Sequence, residues 1–393
     1  MKTRTNQGWC SGWGLAVLFC VTAAAQEIEI RRELLWQPGT ARPVPITLTG
    51  FEGEVAAVLR FDLEVAGFQI VGPDAAQYEL RGNRTGTGLQ GTLVDRVSQA
   101  ALFARAYSGA SLRQQAHALA DDVVLAVTGR PGIAQTRIAF KVESGGTSEI
   151  YVSDYDGHGA RPVTRDRSLV AAPCWVPGRP VLYYTSYKSG SPDILRHDLT
   201  TGQRQVVAAH PGLNTSAAIS PDGQRMAMIL SKDGAPELYV ARADGRDLKR
   251  LTFSREDESS PTWSPDGRWI GFATRQAGRR MLARISPGGG ELQRIGTAGV
   301  ANPSEPDWSP DGKWIAFTAQ MGGFEICVVP AEGGAATVLV SGEDPSWAPN
   351  SRTLIFTRRQ GDRRVLSLLD VATRQVKDVA RVSGNSSQPS WAR

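Results

Sequence analysis

The chain has 393 residues, of which 41% are hydrophobic and 21% charged, and its formal net charge is +5. This composition is close to that of ordinary globular proteins, which argues against a disordered chain, a collagen or a coiled coil. No apolar run reaches the roughly 18 residues that span a bilayer, so a polytopic membrane protein is excluded. The 44 basic and 39 acidic residues are spread along the chain without a block of like charges, which gives nucleic-acid binding little support.

Residues 1–25 have the pattern of a secretory signal peptide. Lys2 and Arg4 provide a positive start, residues 14–21 form a short apolar run, and three alanines at 23–25 provide a cleavage site. We therefore expect export across the inner membrane, with Gln26 as the first residue of the mature chain.

Residues 26–130 predict a small α/β domain. Apolar residues recur at helical spacing over 54–65 and 111–128, and Ser111 with Gln114 has the spacing of a capping box. His117 is expected on the polar side of the second helix, with an ordinary hydrogen bond. The strand-like runs are Ile28 to Ile30, Pro45 to Leu48, Phe68 to Val71, Leu89 to Val94 and Ala100 to Ala106.

An internal repeat dominates residues 131–393. An aromatic or apolar anchor residue precedes a Ser-Pro-Asp-Gly motif or a weaker copy of it, and the anchors are Trp175, Ile219, Trp263, Trp308, Trp347 and Trp391. A period near 44 residues is typical of the four-stranded blades of a β-propeller. Short apolar runs follow each of the first five anchors after about seven and about twenty residues, and the Pro-Asp-Gly segment suits the turn between the first two strands.

The two ends of the repeat region are complementary. Residues 138–140 and 150–152 match the second and third strands of a blade, yet no anchor precedes them, whereas Trp391 is an anchor without a following blade. A closed ring accounts for both ends and leaves no exposed sheet edge. The predicted fold is thus mainly β: a six-bladed β-propeller, closed by the C-terminal strand and preceded by the small α/β domain.

The ring also predicts the state of the two cysteines that remain after signal removal. Cys174 falls in the second blade and Cys327 in the fifth, on opposite sides of the ring. A disulfide requires the two Cα atoms to lie within about 7 Å, so we expect two free, buried thiols.

Motifs that could carry chemistry are sparse. Residues 86–91 satisfy the pattern GxGxxG, but a strand follows where a dinucleotide site needs a helix, so a glycine-rich hairpin is favoured. Residues 154–157 begin like a calcium loop but lack its final glutamate, which favours a turn. We find no nucleophile with a base, no metal-binding group of histidines and no cofactor motif. The sequence therefore predicts a protein without catalytic, cofactor-binding or metal-binding residues.

The combination of a signal peptide, a small α/β domain and a propeller with repeated SPDG motifs resembles the TolB family of the Tol–Pal system. The segments that carry the resemblance are residues 112–121, 136–140, 152–157 and 219–240. The resemblance implies a non-enzymatic periplasmic adaptor that supports outer-membrane integrity and constriction during cell division. It also implies two partners, the peptidoglycan-associated lipoprotein Pal at the propeller mouth and the inner-membrane protein TolA.

The resemblance places the Pal contacts in the loops just before the anchor strands. The corresponding residues are Leu213, Asn214, Thr215, Ser216, Glu258, Ser259, Ser260, Pro303, Ser304, Glu305, Glu343 and Asp344. Their polar and acidic character would suit a basic patch on the partner. TolA would contact Gln26 to Trp36. We expect a monomer that does not span the membrane.

Two other classes of function remain open. A periplasmic propeller hydrolase or lyase would place several histidine or carboxylate ligands in the channel, and only His210 lies near a suitable loop. A glycan-binding propeller would place aromatic side chains in the loops before the anchors, where Asn, Ser and Glu stand instead.

Overall fold

The computed structural model of the protein describes residues 38–254, 256–379, 382 and 384–393. The predicted signal peptide, the predicted strand from Ile28 to Ile30 and the predicted TolA-contact segment from Gln26 to Trp36 lie outside these residues.

The N-terminal part contains one five-stranded sheet. Its strands are β1 (Val44–Thr49), β2 (Phe68–Ile70), β3 (Tyr78–Thr85), β4 (Gly88–Asp95) and β5 (Ala100–Tyr107). The strand order is β2-β1-β3-β4-β5, and β1 is parallel to both of its neighbours. The four predicted strands within the described residues are confirmed, whereas β3 was not predicted because its polar sequence lacks the apolar alternation of a strand.

Two helices cover one face of this sheet, α1 (Gly53–Val65) and α2 (Leu112–Thr128). The predicted capping box is confirmed, because the Ser111 hydroxyl accepts a hydrogen bond from the backbone N–H of Gln114 at 3.2 Å. At the other end of α2, Gly129 takes the left-handed conformation that ends a helix (φ 71°). The glycine-rich segment 86–91 is confirmed as a hairpin, with its turn between β3 and β4.

Six four-stranded antiparallel sheets form the described part of the propeller. From the innermost strand outward, blade 1 consists of β31 (Asn385–Trp391), β6 (Arg137–Ser144), β7 (Thr147–Asp154) and β8 (Arg161–Pro162). Blade 2 consists of β9 (Val170–Trp175), β10 (Val181–Ser186), β11 (Asp193–Asp198) and β12 (Arg204–Ala208), and blade 3 of β13 (Asn214–Ile219), β14 (Arg225–Leu230), β15 (Glu237–Arg242) and β16 (Lys249–Arg250).

The remaining blades follow the same order. Blade 4 consists of β17 (Ser259–Trp263), β18 (Ile270–Gln276), β19 (Arg279–Ile285) and β20 (Gln293–Ile295). Blade 5 consists of β22 (Pro303–Trp308), β23 (Trp314–Gln320), β24 (Phe324–Pro330) and β26 (Thr337–Ser341), and blade 6 of β27 (Glu343–Trp347), β28 (Thr353–Gln360), β29 (Arg363–Asp370) and β30 (Val376–Asp378). A short parallel pair, β21 (Thr297–Ala298) with β25 (Gly334–Ala335), joins the outer parts of blades 4 and 5.

Each predicted anchor is the last residue of an innermost strand and is buried. Three of the tryptophans also connect neighbouring blades through the indole N–H. Trp175 donates to Ser390 O at 3.2 Å, Trp263 to Ala218 O at 2.9 Å, and Trp347 to Asp307 O at 3.1 Å. The anchors thus pack the blades together, as the repeat predicted.

The turn after the anchor forms as expected. In blade 4, the Ser264 hydroxyl donates to Asp266 Oδ1 at 2.6 Å and accepts from the Trp269 N–H at 2.9 Å. Gly267 takes a positive φ of 68°. The same position in blade 6 is Ser351, which adopts φ 53° without being glycine.

The C-terminal strand closes the ring. β31 pairs with β6 from Asn385↔Glu143 to Trp391↔Ile138, so the last strand of the chain is the innermost strand of the first blade. The Trp391 indole N–H donates to Thr136 Oγ1 at 2.8 Å. This pairing confirms the predicted closure.

The N-terminal domain lies on the face of the ring where the innermost strands end. Gly39 N donates to Val371 O at 2.8 Å, and Arg130 Nη1 donates to Asn350 O at 3.2 Å. The opposite face, which we call the mouth face, consists of the loops before the innermost strands and the hairpins between the second and third strands. The part of the N-terminal domain that the structure describes therefore leaves the mouth face uncovered.

A buried polar cluster joins the two parts of the chain. Asp62 of α1 bonds His117 Nδ1 of α2 at 2.7 Å, and its other oxygen accepts from the Tyr155 hydroxyl of blade 1. The predicted hydrogen bond of His117 is confirmed, but the side chain is only 4% exposed, because the polar side of α2 packs against the propeller. Tyr155 lies in the predicted turn at 154–157, which is confirmed by a hydrogen bond from Gly157 N to Asp154 O.

The two cysteines are free, as predicted. Cys327 is fully buried, and burial raises the pKa of its thiol to about 12. Cys174 is half-buried on the channel wall, so the prediction of a buried thiol is wrong for this residue. Its strand is the innermost of blade 2, where alternate side chains face the channel.

Candidate functional site

A ring of left-handed residues surrounds the channel at the mouth face. The third residue before each anchor has a φ between 51° and 57°, and we call these six residues the bulge ring: Ala172, Ser216, Ser260, Glu305, Asp344 and Gln388. The strand register is interrupted near each of them. Residues other than glycine rarely adopt this backbone conformation, and such backbone strain is concentrated at binding sites.

The longer side chains of the bulge ring link consecutive blades. Glu305 Oε2 accepts from the Asp344 N–H at 3.0 Å, Asp344 Oδ2 from the Gln388 N–H at 3.1 Å, and Gln388 Oε1 from the Ala172 N–H at 3.0 Å. Threonines on the second strands complete this network, since Thr318 donates to Glu305 at 2.7 Å and Thr357 to Asp344 at 3.0 Å. The ring is therefore asymmetric, with carboxylates on blades 5 and 6 and small side chains on blades 2 to 4.

The bulge ring opens into a channel cavity of about 410 Å³. Below the ring, the wall is formed by prolines and by the anchor residues, and it is mainly apolar. At the far end, the Arg393 guanidinium donates to Trp308 O at 3.2 Å and to Trp347 O at 3.3 Å, and it pairs with Asp307. One side chain of blade 1 thus crosses the channel floor to blades 5 and 6.

The environment of Asp344 favours its protonated form. Burial is the main cause, and the neighbouring carboxylates of Glu305 and Glu343 add to it, so that the pKa of Asp344 rises from 3.8 to about 7. A carboxyl group with such a pKa changes its charge close to neutral pH.

Replacing Asp344 should change how stability depends on pH. Because its pKa is raised in the folded chain, Asp344 contributes stability that is present at low pH and is lost as the pH rises through about 7. Asp344→Asn should therefore flatten the dependence of the melting temperature between about pH 5 and pH 8. Asp362→Asn, in an exposed turn of blade 6, is the control. If the melting temperatures of wild type and Asp344→Asn change with pH in the same way across this range, the raised pKa of Asp344 is contradicted.

The structure places most of the predicted contact residues along the mouth of the channel. Eight of them are half-buried there: Thr215, Ser216, Ser259, Ser260, Ser304, Glu305, Glu343 and Asp344. Leu213 is also half-buried and packs against the core between blades 3 and 4. Glu343 lies beside Arg364, whose Nε is 3.5 Å from Glu343 Oε1.

Three of the predicted contact residues are buried, so they do not present their side chains to a partner. Asn214 is fully buried and supports its own loop, accepting from His210 N at 2.9 Å and donating to His210 O at 2.7 Å. Glu258 is 2% exposed and accepts from Ser254 Oγ at 2.7 Å, and burial raises its pKa to about 7. Pro303 is also buried. Their polarity or loop position misled the prediction because loop interiors also need hydrogen-bonded side chains.

Sequence reasoning missed a set of exposed apolar residues on the mouth face. Eight large apolar side chains are exposed on the described propeller: Leu169, Tyr187, Val206, Phe253, Leu292, Met321, Phe324 and Val338. Five of them belong to mouth-face loops or hairpins: Leu169, Tyr187, Phe253, Met321 and Phe324. The repeat could have revealed them, because it places the hairpin between the second and third strands on the same face as the loop before the anchor.

The described residues do not suggest a metal centre or a membrane span. Within residues 38–254, 256–379, 382 and 384–393, no three His, Cys, Asp or Glu side chains come together to hold a metal ion. No helix in that part of the chain is both long and apolar enough to cross a bilayer.

Comparisons with known proteins identify the family. The family model of the TolB beta propeller domain matches residues 124–393. The Tol-Pal system protein TolB of Bordetella pertussis is 33% identical over 202 residues, which are 51% of this chain and 46% of that protein, and the TolB of Bordetella parapertussis matches equally. The chain thus spans about half the length of the curated relatives it matches.

Solved structures share the fold. TolB from Acinetobacter baumannii superposes with a TM-score of 0.82 over 90% of this chain and 98% of its own, at 23% identity. A putative TolB from Agrobacterium tumefaciens gives a TM-score of 0.51 at 20% identity, over 62% of this chain and 89% of its own. Because the family model covers more than half of the sequence, this chain belongs to the TolB β-propeller domain family.

Proposed function

We propose that this protein is a non-enzymatic periplasmic adaptor of the Tol–Pal system, which binds a Pal-like outer-membrane lipoprotein at the mouth face. It would bind a TolA-like protein through Gln26 to Trp36 and support outer-membrane integrity and constriction at cell division. Membership of the TolB β-propeller domain family supports the proposal. The observation that carries it is the concentration of exposed apolar side chains around a channel mouth that bears the carboxyl groups of Glu305 and Asp344, on the face opposite the described part of the N-terminal domain.

The arrangement suits protein recognition. Protein interfaces combine aromatic or aliphatic anchors with polar groups that fix orientation. Phe253 is 71% exposed and lies under the Arg250 guanidinium, 4.7 Å from the ring centroid. Leu169 and Tyr187 are neighbours, joined by a backbone hydrogen bond from Tyr187 N to Leu169 O. A partner that covers the channel would bury these side chains and meet the carboxylates of blades 5 and 6.

Calorimetric titration with the soluble domain of the Pal-like lipoprotein from the same organism tests the proposal. We expect the double variant Tyr187→Ala/Phe253→Ala to bind about 10- to 100-fold more weakly than wild type. The control is Val206→Ala/Val338→Ala, which removes exposed apolar groups from the outermost strands β12 and β26 and should bind like wild type. No binding by the wild-type chain, or equal binding by both double variants, would overturn the proposal.

A glycan-binding propeller is the second candidate, favoured by the three exposed aromatic residues Tyr187, Phe253 and Phe324. They lie on blade 2, between blades 3 and 4, and on blade 5, so they are distributed around the rim instead of forming one stacking platform. Sedimentation with purified peptidoglycan distinguishes the two candidates. The glycan-binding candidate is favoured if the protein sediments with peptidoglycan, loses this sedimentation when the aromatic residues are replaced, and does not bind the lipoprotein.

A further inference from the structure

The hairpin between β18 and β19 carries three arginines on the mouth face of blade 4. Arg275 and Arg280 are directly opposite each other in the strand register, and Arg279 follows the two-residue turn. Both turn residues have positive φ, 52° at Ala277 and 76° at Gly278, which is the geometry of a tight hairpin. The two strands hold the arginines in a fixed arrangement.

The positive charges of this hairpin are not neutralised by the described part of the chain. Within those residues, no Asp or Glu oxygen lies within 4.0 Å of any of the three guanidinium groups. Arg279 and Arg280 are exposed, and the Nε of half-buried Arg275 has no hydrogen-bond partner there. Like charges placed opposite each other across two strands destabilise a sheet. The hairpin thus tolerates a repulsion that an anionic ligand would relieve.

The neighbouring blade presents a carboxylate at the channel. Ala273 and Leu282, on the same hairpin face as Arg275 and Arg280, pack in one core cluster with Trp308 of blade 5. The two arginines therefore lie on the side of blade 4 that faces blade 5, where the bulge ring presents Glu305. The mouth-face hairpin of blade 6 also carries arginines, but Arg359 and Arg364 lie within 4.0 Å of the Glu343 carboxylate, whereas the three arginines of the blade 4 hairpin have no such partner among the described residues.

We propose that the β18–β19 hairpin receives an acidic segment of the protein that docks on the mouth face, and thereby fixes its rotational orientation on the ring. This inference rests on the proposed function. A propeller with six similar blades presents nearly equivalent docking directions, and the unpaired arginines of the blade 4 hairpin distinguish one of them. The partner would carry carboxylates over blade 4. An acidic protein segment fits better than lipid phosphates, since the apolar side chains Phe253, Met321 and Phe324 surround the same opening.

Binding kinetics of the charge-reversal variant Arg279→Glu/Arg280→Glu test this inference. With the soluble lipoprotein domain as the probe, we expect an association rate about 10-fold or more below that of wild type at low salt, and a weaker dependence of the affinity on salt. The matched control is Arg242→Glu/Arg246→Glu on the opposite face, whose residues are 61% and 80% exposed. The control should associate like wild type, and Arg279→Gln/Arg280→Gln should be intermediate.

The outcomes separate the two proposals. If wild type does not bind the lipoprotein, the proposed function fails. If wild type binds and Arg279→Glu/Arg280→Glu associates at the same rate, only the role of the hairpin is wrong.

Vesicles of phosphatidylcholine with phosphatidylglycerol test whether the hairpin binds lipid phosphates instead of an acidic protein segment. The inference would be overturned in favour of a membrane surface by the following result: wild type sediments with these vesicles, Arg279→Glu/Arg280→Glu does not, and the variant still binds the lipoprotein like wild type. Melting curves confirm that each variant is folded.

Discussion

Replacing Trp391 by alanine should lower the free energy of unfolding by about 3 to 5 kcal/mol. The side chain is 2% exposed, and its indole N–H donates to Thr136 at 2.8 Å. Its ring stacks on Tyr155, with 6.3 Å between the centroids. The substitution would leave a cavity at the point where the two ends of the propeller meet, so both the pairing of β31 with β6 and the packing of the N-terminal domain would weaken.

Urea unfolding, followed by tryptophan fluorescence and by circular dichroism, measures this effect. Val206→Ala is the control, because Val206 is 52% exposed on β12 and its loss should change stability by no more than about 0.5 kcal/mol. A Trp391→Ala protein as stable as the control would contradict the ring closure that the structure shows.

The variant Asp62→Ala should be destabilised by about 2 to 5 kcal/mol. Asp62 is 3% exposed and is bonded by both His117 and the Tyr155 hydroxyl. Removing the carboxylate leaves these two polar groups buried without a partner, at the junction of the N-terminal domain and blade 1. Burying polar groups without hydrogen bonds is costly, whereas an exposed ion pair contributes little.

Thermal and urea unfolding of two further variants isolate the cause. Asp244→Ala removes a carboxylate that lies 3.8 Å from exposed Arg242 and Arg246, and it should cost less than about 1 kcal/mol. The triple variant Asp62→Leu/His117→Leu/Tyr155→Phe removes all three polar groups and should recover much of the lost stability. If the triple variant is less stable than Asp62→Ala, the loss is due to packing instead of unsatisfied polar groups.

The parts of the fold that the repeat determines could be predicted from the sequence. The anchors, the turns after them and the closure by β31 each depend on a periodic residue pattern, and all of them are confirmed. The bulge ring could not be predicted in the same way. Five of its six members precede a proline, a position that ordinarily favours extended backbone, and none of them is glycine. In this conformation Glu305, Asp344 and Gln388 accept hydrogen bonds from neighbouring blades, and the local sequence does not reveal these contacts.

The sequence locates the loops of the candidate site but does not show which of their side chains are exposed. The loops before the anchors do lie at the channel mouth, yet Asn214 and Glu258 are buried. Polarity alone does not distinguish a side chain that supports a loop from one that faces a partner. Conversely, Phe253 and Phe324 are apolar and exposed, although local sequence suggests burial for such residues. Their place on the mouth face follows from the three-dimensional arrangement of the hairpins.

Hydrogen–deuterium exchange of the mature chain, alone and with the soluble domain of the Pal-like lipoprotein, tests the central claim most directly. If the mouth face is the docking surface, exchange should slow in the loops before β9, β17, β22 and β27 and in the hairpins at residues 187–192, 276–279 and 320–324. The turns after the anchors and the N-terminal sheet should keep their rates. Protection confined to the N-terminal domain or to the face opposite the mouth would contradict the account, and so would unchanged exchange throughout the chain.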